Sequence, residues 1–332
     1  MRLDTANRAF LTLVALALAP FVLLGVFGCG VLSYLAYRIA ADGPGVLTAD
    51  ADLRPAAAFF AVVSAGTVLA VRSLWQQHRA TRRLAEHVRA NQLSANADIN
   101  AACQRVGLAR VVDVVDSAEA WSFTYGLRAP RVAVSSHLAA SASADELDAV
   151  LAHEWYHVRN RDPLKVVVAR ALPSAFFFLP ALGHLRTRYL AGRELAADRR
   201  AVDATGRRPL AAALYRVVAG PGWPELATAA AIGGEDLLDV RLTQLETGEE
   251  PAMTTVPRPV LAATAIGLVL LAAAPVATVV GVGGPGEVMD MDSGREMGVE
   301  MGGFEILGGL SCGAAFVVGG ALVYRRFARR HG

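Results

Sequence analysis

His153-Glu154-Trp155-Tyr156-His157 places two imidazoles four residues apart, with a carboxylate beside the first. On a helix, residues at that spacing stand one above the other, so both rings can converge on one metal ion. Glu154 projects from the neighbouring part of the same face. There it can take a proton from a water that a bound zinc ion acidifies from about 15.7 to roughly 7. The chemistry implied is metal-assisted hydrolysis.

A catalytic zinc site needs a third protein ligand and an open fourth position. The candidate is Glu194, in Arg193-Glu194-Leu195-Ala196-Ala197-Asp198. Asp198 follows four residues later on the same helical face, and we expect it to hydrogen-bond a ligand histidine and so fix its tautomer. Gly206 is the expected stop of that helix. Tyr125, Tyr156 and Tyr189 are open alternatives for donating to the oxyanion of a tetrahedral intermediate, with His184 a further candidate for aiding the transition state. His78, His87 and His137 lack ligand spacing and read as surface histidines.

The elements that must position these groups follow from local signals. Ser143 and Glu146 form a capping-box pattern, with Leu147, Val150 and Leu151 as an apolar face ahead of the histidines. Asp162-Pro163 is expected to close that helix, because the residue before proline is pushed out of the α region. Residues 109–115, 120–125 and 131–135 read as short strands, the last two joined by the turn from Gly126 to Pro130. Helices are expected over 74–89, 209–218 and 235–245.

The run from Ser122 to Val134, the Ala149-Val150-Leu151-Ala152-His153-Glu154 segment and the later Glu194 and Asp198 together resemble membrane gluzincin metallopeptidases. The likeness is nearest to the beta-lactam-sensor transducer (BlaR/MecR-like) peptidases of metallopeptidase family 56. The HtpX and CAAX-prenyl-protease group, family 48, is a near second. The resemblance covers about residues 121–217. It implies a zincin-like α+β catalytic domain and an edge strand, 131–135 or its neighbour, that pairs with extended substrate. Sensor transducers end in a large extracytoplasmic ligand-binding domain that this sequence does not carry, so beta-lactam sensing is not implied.

The chain's 332 residues are 54% hydrophobic, its mean hydropathy is positive and its net charge is +2. That composition points to an integral membrane protein and shows no footprint for nucleic acid. Residues 10–34, 56–74, 260–282 and 306–324 lack charge for long enough to span about 30 Å of hydrocarbon. Arginines flank these stretches asymmetrically: Arg2 and Arg8 precede the first, Arg72, Arg79, Arg82 and Arg83 follow the second, and Arg325, Arg326, Arg329 and Arg330 follow the fourth. Acidic residues collect between the third and fourth. By the positive-inside rule both termini and the zinc region face the cytoplasm of a cell or inner membrane. A fifth apolar stretch, 166–182, cannot cross, since His157 and Glu194 must reach the same ion. It must be buried, lie along the interface, or dip in and return.

The expected architecture is a mainly α membrane protein with four transmembrane helices and a cytoplasmic catalytic domain carrying a small sheet. Residues 1–75 hold two spans, 76–256 the catalytic domain and 257–332 two further spans. The expected function is a zinc metalloendopeptidase with Glu154 as general base, zinc on His153, His157 and Glu194, and a protein or peptide substrate. The alternative is a non-catalytic membrane scaffold with a structural zinc. Cys29, Cys103 and Cys312 are scattered and expected to form no disulfide. Met289, Met291, Met297 and Met301, in the acidic loop, are read as incidental.

Overall fold

The computed structural model describes residues 4–46, 53–95, 97–108, 111–219, 236–253 and 255–282. The expected fourth span, the methionine-bearing loop and the basic tail lie outside them.

Two compact units divide the chain. The first comprises residues 1–13, 70–174 and 183–256, and it carries every residue of the expected site. The second comprises 14–69, 175–182 and 257–332. Among the described residues, three helices are long and apolar enough to cross a membrane, with candidate spans at Thr5–Gly25, Arg54–Ala90 and Arg258–Pro275. They belong to α1 (Thr5–Asp42), α2 (Arg54–Ala90) and α10 (Arg258–Val282). The basic 74–89 stretch is the continuation of α2.

Within the first unit the chain builds a four-stranded sheet from β1 (Gln92–Leu93), β2 (Val112–Val115), β3 (Ser122–Tyr125) and β4 (Arg131–Ser135). α3 (Ala97–Val106) lies between β1 and β2 in sequence. The strand order is β1-β2-β4-β3, with β2 and β4 parallel and the other pairs antiparallel. The β3–β4 hairpin turns at Gly126, whose φ of +89° and whose Cβ position, 2.7 Å from Ala129 O, both demand glycine. β4 is thus an inner strand. The edge strand that resemblance suggested at 131–135 is its neighbour β3, because β4 spends its backbone groups on both β2 and β3.

α4 (Ser136–Ser141) leads into α5 (Ala144–Asn160), the helix of the two histidines. The expected capping box is present: Glu146 N–H donates to Ser143 Oγ at 3.3 Å, and Ser143 N–H to Glu146 Oε2 at 3.1 Å. Leu147, Val150 and Leu151 pack into one cluster with Val114, Val132 and Val134, so the helix lies on the sheet through its apolar face. Each such side chain contributes about 1.5–3 kcal/mol of burial.

α5 ends at Asn160, and Arg161 takes a left-handed conformation, φ 53° and ψ 41°. Asp162 then begins α6 (Asp162–Ala175) instead of closing the preceding helix. α7 (Pro180–Thr205) comes back, and Tyr189 on it donates to Asp162 Oδ1 at 3.2 Å. Gly206 follows with φ +88°, as its expected role as a stop requires. α8 (Arg207–Ala219) and α9 (Asp236–Thr247) complete the unit.

The apolar 166–182 stretch is therefore the end of α6, a turn and the start of α7. Its tip, 175–182, belongs to the second unit, where Ala181 N–H donates to Thr264 Oγ1 at 3.1 Å and Phe21 and Phe176 meet edge to face. Gly66 lies so close to the Ala175 carbonyl that any Cβ there would collide with it. The segment dips against the span helices and returns.

A polar cluster ties all four strands. Asp113 on β2, 3% exposed, accepts from Arg131 Nε and Nη2 on β4, both at 2.6 Å. It also accepts from Tyr125 Oη on β3 at 2.6 Å and from Gln92 Nε2 on β1 at 2.8 Å. Burial disfavours the charged carboxyl, but the Arg131 and Tyr125 hydrogen bonds prevail and hold it below its usual range. We expect Asp113→Ala to cost about 1–3 kcal/mol; the Arg131 side chain keeps 39% exposure, which limits the loss. Because the folded-state pKa is depressed, this contribution is present above the unfolded value of about 3.9 and disappears as pH falls below it. Thermal unfolding of detergent-solubilised protein checks both, and a variant as stable as the parent at neutral pH would contradict the assignment.

Candidate metal centre

α5 and α7 meet through small residues: Ala149 and Ala152 share a buried cluster with Ala201, Leu210, Leu214 and Leu245. The short side chains leave room for the two helices to pass close to each other there. One turn along, that proximity brings Glu194 to the two histidines.

His153, His157 and Glu194 offer three ligand atoms within 4.8 Å of one another. The two Nε2 atoms are 3.2 Å apart. Glu194 Oε2 is 3.4 Å from His153 Nε2, and Oε1 is 3.8 Å from His157 Nε2. A tetrahedral ion with bonds near 2.1 Å separates its ligands by about 3.4 Å, so the triangle has the size such an ion requires.

The far side of each ring explains why both Nε2 atoms are lone-pair donors. His157 Nδ1 lies 2.7 Å from Asp162 Oδ2, and since a carboxylate only accepts, Nδ1 carries the proton. Asp198 Oδ1 lies 2.8 Å from His153 Nδ1; the contact is short but bent, so its pull on the ring is mainly electrostatic. Two lone pairs facing each other at 3.2 Å repel unless a cation or a proton stands between them. Asp198 thus stands beside His153 without the well-formed hydrogen bond expected of it, and Asp162 stands beside His157.

Charge makes the same demand. Glu154, Asp162, Asp198 and Glu194 are all largely buried, Asp198 completely. Two guanidiniums answer them. Arg241 on α9 donates to both Asp198 oxygens at 2.7 Å, and Arg193 Nη2 lies 3.1 Å from Glu194 Oε1. Arg241, Arg193 and the buried Lys165 ammonium, whose charge acts on Asp162, answer these carboxylates, and a divalent cation among them would be favourable.

Burial opposes ionisation of Glu194, but Arg193, His157 and His153 hold its carboxyl well below the usual value. Asp198 is likewise brought down to about 2, burial being outweighed by Arg241 and His153. For His153 burial disfavours the cation, yet Asp198 and Glu194 push it up to about 9.

Glu154 is held from the sheet. Ser122 Oγ on β3 donates to its Oε1 at 3.0 Å, and Thr124 Oγ1 to its Oε2 at 2.7 Å. Ser122 and Thr124 alternate with Phe123 along the strand, so both hydroxyls face α5 while Phe123 packs with Leu84 and Val88.

Other expected participants are elsewhere. Tyr125 donates to Asp113, Tyr156 to Asp4 Oδ2 at 2.7 Å, and Tyr189 to Asp162, so each hydroxyl is bound to a carboxylate. His184 is exposed and ten residues along α7 from Glu194, about 15 Å. His78, His87 and His137 are exposed, and Cys103 is a buried free thiol. Asp162, Arg193, Arg241, Ser122 and Thr124 were not assigned from sequence.

The family model Peptidase_M56, described as BlaR1 peptidase M56, matches residues 54–245, more than half of the chain. The match spans the sheet, both helices of the candidate site and Arg241. No curated protein matches the chain.

Replacing Asp198 or Asp162 by Asn should weaken divalent-metal affinity about 10–100-fold, while Asp203→Asn, exposed on α7, should leave it unchanged. Because His153 must lose its proton to bind, apparent affinity should rise with pH, by up to about tenfold per unit, and level off near 9. Competition against a chromogenic chelator measures both; equal affinities across the aspartate variants would contradict the assigned roles.

Proposed function

The chain belongs to the BlaR1 peptidase M56 family, and on that footing we propose that it is an integral-membrane zinc metalloendopeptidase. The observation that carries this reading is the three-donor triangle of His153, His157 and Glu194 with Glu154 beside it. A structural zinc site closes its coordination with four protein ligands. Among the described residues only three group together, which supports an open, catalytic position. When bound there, zinc would polarise the scissile carbonyl and make water a nucleophile near neutral pH.

The chain's own residues supply the rest. Glu154 takes the proton from the attacking water and passes it to the leaving amine. Ser122 and Thr124 fix both of its oxygens, so the base is aimed before substrate arrives. β3 is the edge of the sheet and carries those two hydroxyls, so an extended peptide pairing with it would lie alongside the base. Protein or peptide is the substrate class this arrangement suits.

The orientation read from the arginines puts this chemistry on the cytoplasmic face of a cell or inner membrane, in a catalytic domain between two pairs of spans. Contacts from the start of α1 support a common side for the N-terminus and the site: Asp4 accepts from Tyr156, and Asn7 Oδ1 from Lys165 Nζ at 2.6 Å.

Glu154→Gln removes the base and leaves all three proposed ligands. Peptide cleavage by the purified protein should fall at least about a hundredfold, with zinc content unchanged by elemental analysis. Cleavage at the parental rate would refute the role of Glu154.

A further inference from the structure

Hydrolysis at this site needs a donor for the negative oxygen of the tetrahedral intermediate, and the tyrosines are spent. Tyr125, Tyr156 and Tyr189 each donate to a carboxylate, and His184 is out of reach. Two buried guanidiniums remain beside the ligand carboxylate. Arg241 is committed, Nε and Nη2 both lying 2.7 Å from Asp198, with its Nη1 4.0 Å from Glu194 Oε2. Arg193 is not. Its Nη2 stands 3.1 Å from Glu194 Oε1, and its Nε is buried with no hydrogen-bond partner.

A guanidinium that is 6% exposed and leaves an N–H unanswered is costly unless something fills the gap during function. Its surroundings are the reacting groups: Glu194 beside it, with Asp162 and Glu154 close enough for their charges to act on it. Tyr189, one turn earlier on α7, is fully buried against Asp162 and walls that side. Arg193 therefore has Glu194 in contact and the Glu154 carboxylate within electrostatic reach.

Resting on the hydrolase reading above, we propose that Arg193 is a catalytic residue that donates to the scissile carbonyl oxygen as it becomes an oxyanion. The water oxygen bonds to the carbonyl carbon, its proton goes to Glu154, and the carbonyl π electrons move onto the oxygen that Arg193 receives. When the carbon–nitrogen bond breaks, that charge returns to the carbonyl and the amine leaves with the proton held by Glu154. A preorganised donor of this kind is used fully only at the transition state, so its loss falls on kcat more than on KM.

The test compares wild type with Arg193→Gln and Arg193→Lys in the full-length, zinc-loaded protein. Cleavage of fluorescent casein should lose about 10²–10³-fold in kcat in the Gln variant, with little change in KM and with metal retained. The Lys variant, which keeps a buried cation, should recover part of the loss and serves if the Gln variant does not fold. Calorimetry adds a readout independent of turnover. A phosphinic dipeptide, which carries a tetrahedral oxyanion, should bind Arg193→Gln about 10²-fold or more weakly than wild type, whereas a simple thiol that contacts only the metal should bind both alike.

Wild-type cleavage by Arg193→Gln would overturn the proposal. So would loss of metal in step with activity, which would make Arg193 a support for Glu194 alone, and so would equal weakening of both inhibitors. Should even the wild type cleave nothing, the hydrolase reading fails by itself, and the phosphinic-to-thiol comparison still decides whether Arg193 receives an oxyanion.

Discussion

The gathering of buried carboxylates around two facing imidazoles is the constraint on which the site depends. Burying an unpaired carboxylate costs several kcal/mol, and four are gathered here with Arg193, Arg241 and the Lys165 ammonium to answer them. The two histidines add lone pairs aimed at the same point. A divalent cation relieves both problems at once. The elements around the site serve its approach: alanines where α5 meets α7, a capping box that starts α5 on the sheet, and a strand whose hydroxyls hold Glu154.

The positioning groups come from more of the chain than the ligands do. His157 is oriented by Asp162 at the start of α6, His153 by Asp198 on α7, and Asp198 in turn by Arg241 on α9. Tyr156, between the two histidines, holds Asp4 ahead of the first candidate span. Movement of the N-terminal segment or of α9 would therefore be felt at the histidines through one or two hydrogen bonds. The tip of the α6–α7 connection packs among the span helices of its own unit, in keeping with a membrane peptidase family.

Much of this was legible in the residues because local rules and the final fold agree. The capping box, the histidine spacing and the Glu194–Asp198 pair all obey helical periodicity, so they could be read without knowing the fold. Asp162 could not. It lies five residues after His157, which on a continuous helix would carry it to a different face, and only the left-handed turn at Arg161 swings it back. Arg241 is 43 residues from its partner and meets it only through the packing of α9. Which of 131–135 and its neighbour is the edge stays open in sequence, since strand order is a property of the sheet that alternation along a strand does not encode. The choice among Tyr125, Tyr156 and Tyr189 is likewise undecided there, because nothing local reveals the carboxylates their hydroxyls bind.

X-ray absorption spectroscopy at the zinc edge, on protein purified without added chelator, addresses the coordination directly. One zinc per chain is expected, with two imidazole nitrogens and one or more carboxylate or water oxygens at about 2.0–2.2 Å and no sulfur. On Glu194→Ala the protein oxygen should be lost while both imidazoles remain. A spectrum with a single imidazole, a sulfur ligand, or no change on removing Glu194 would contradict the convergence of these three side chains on one dication.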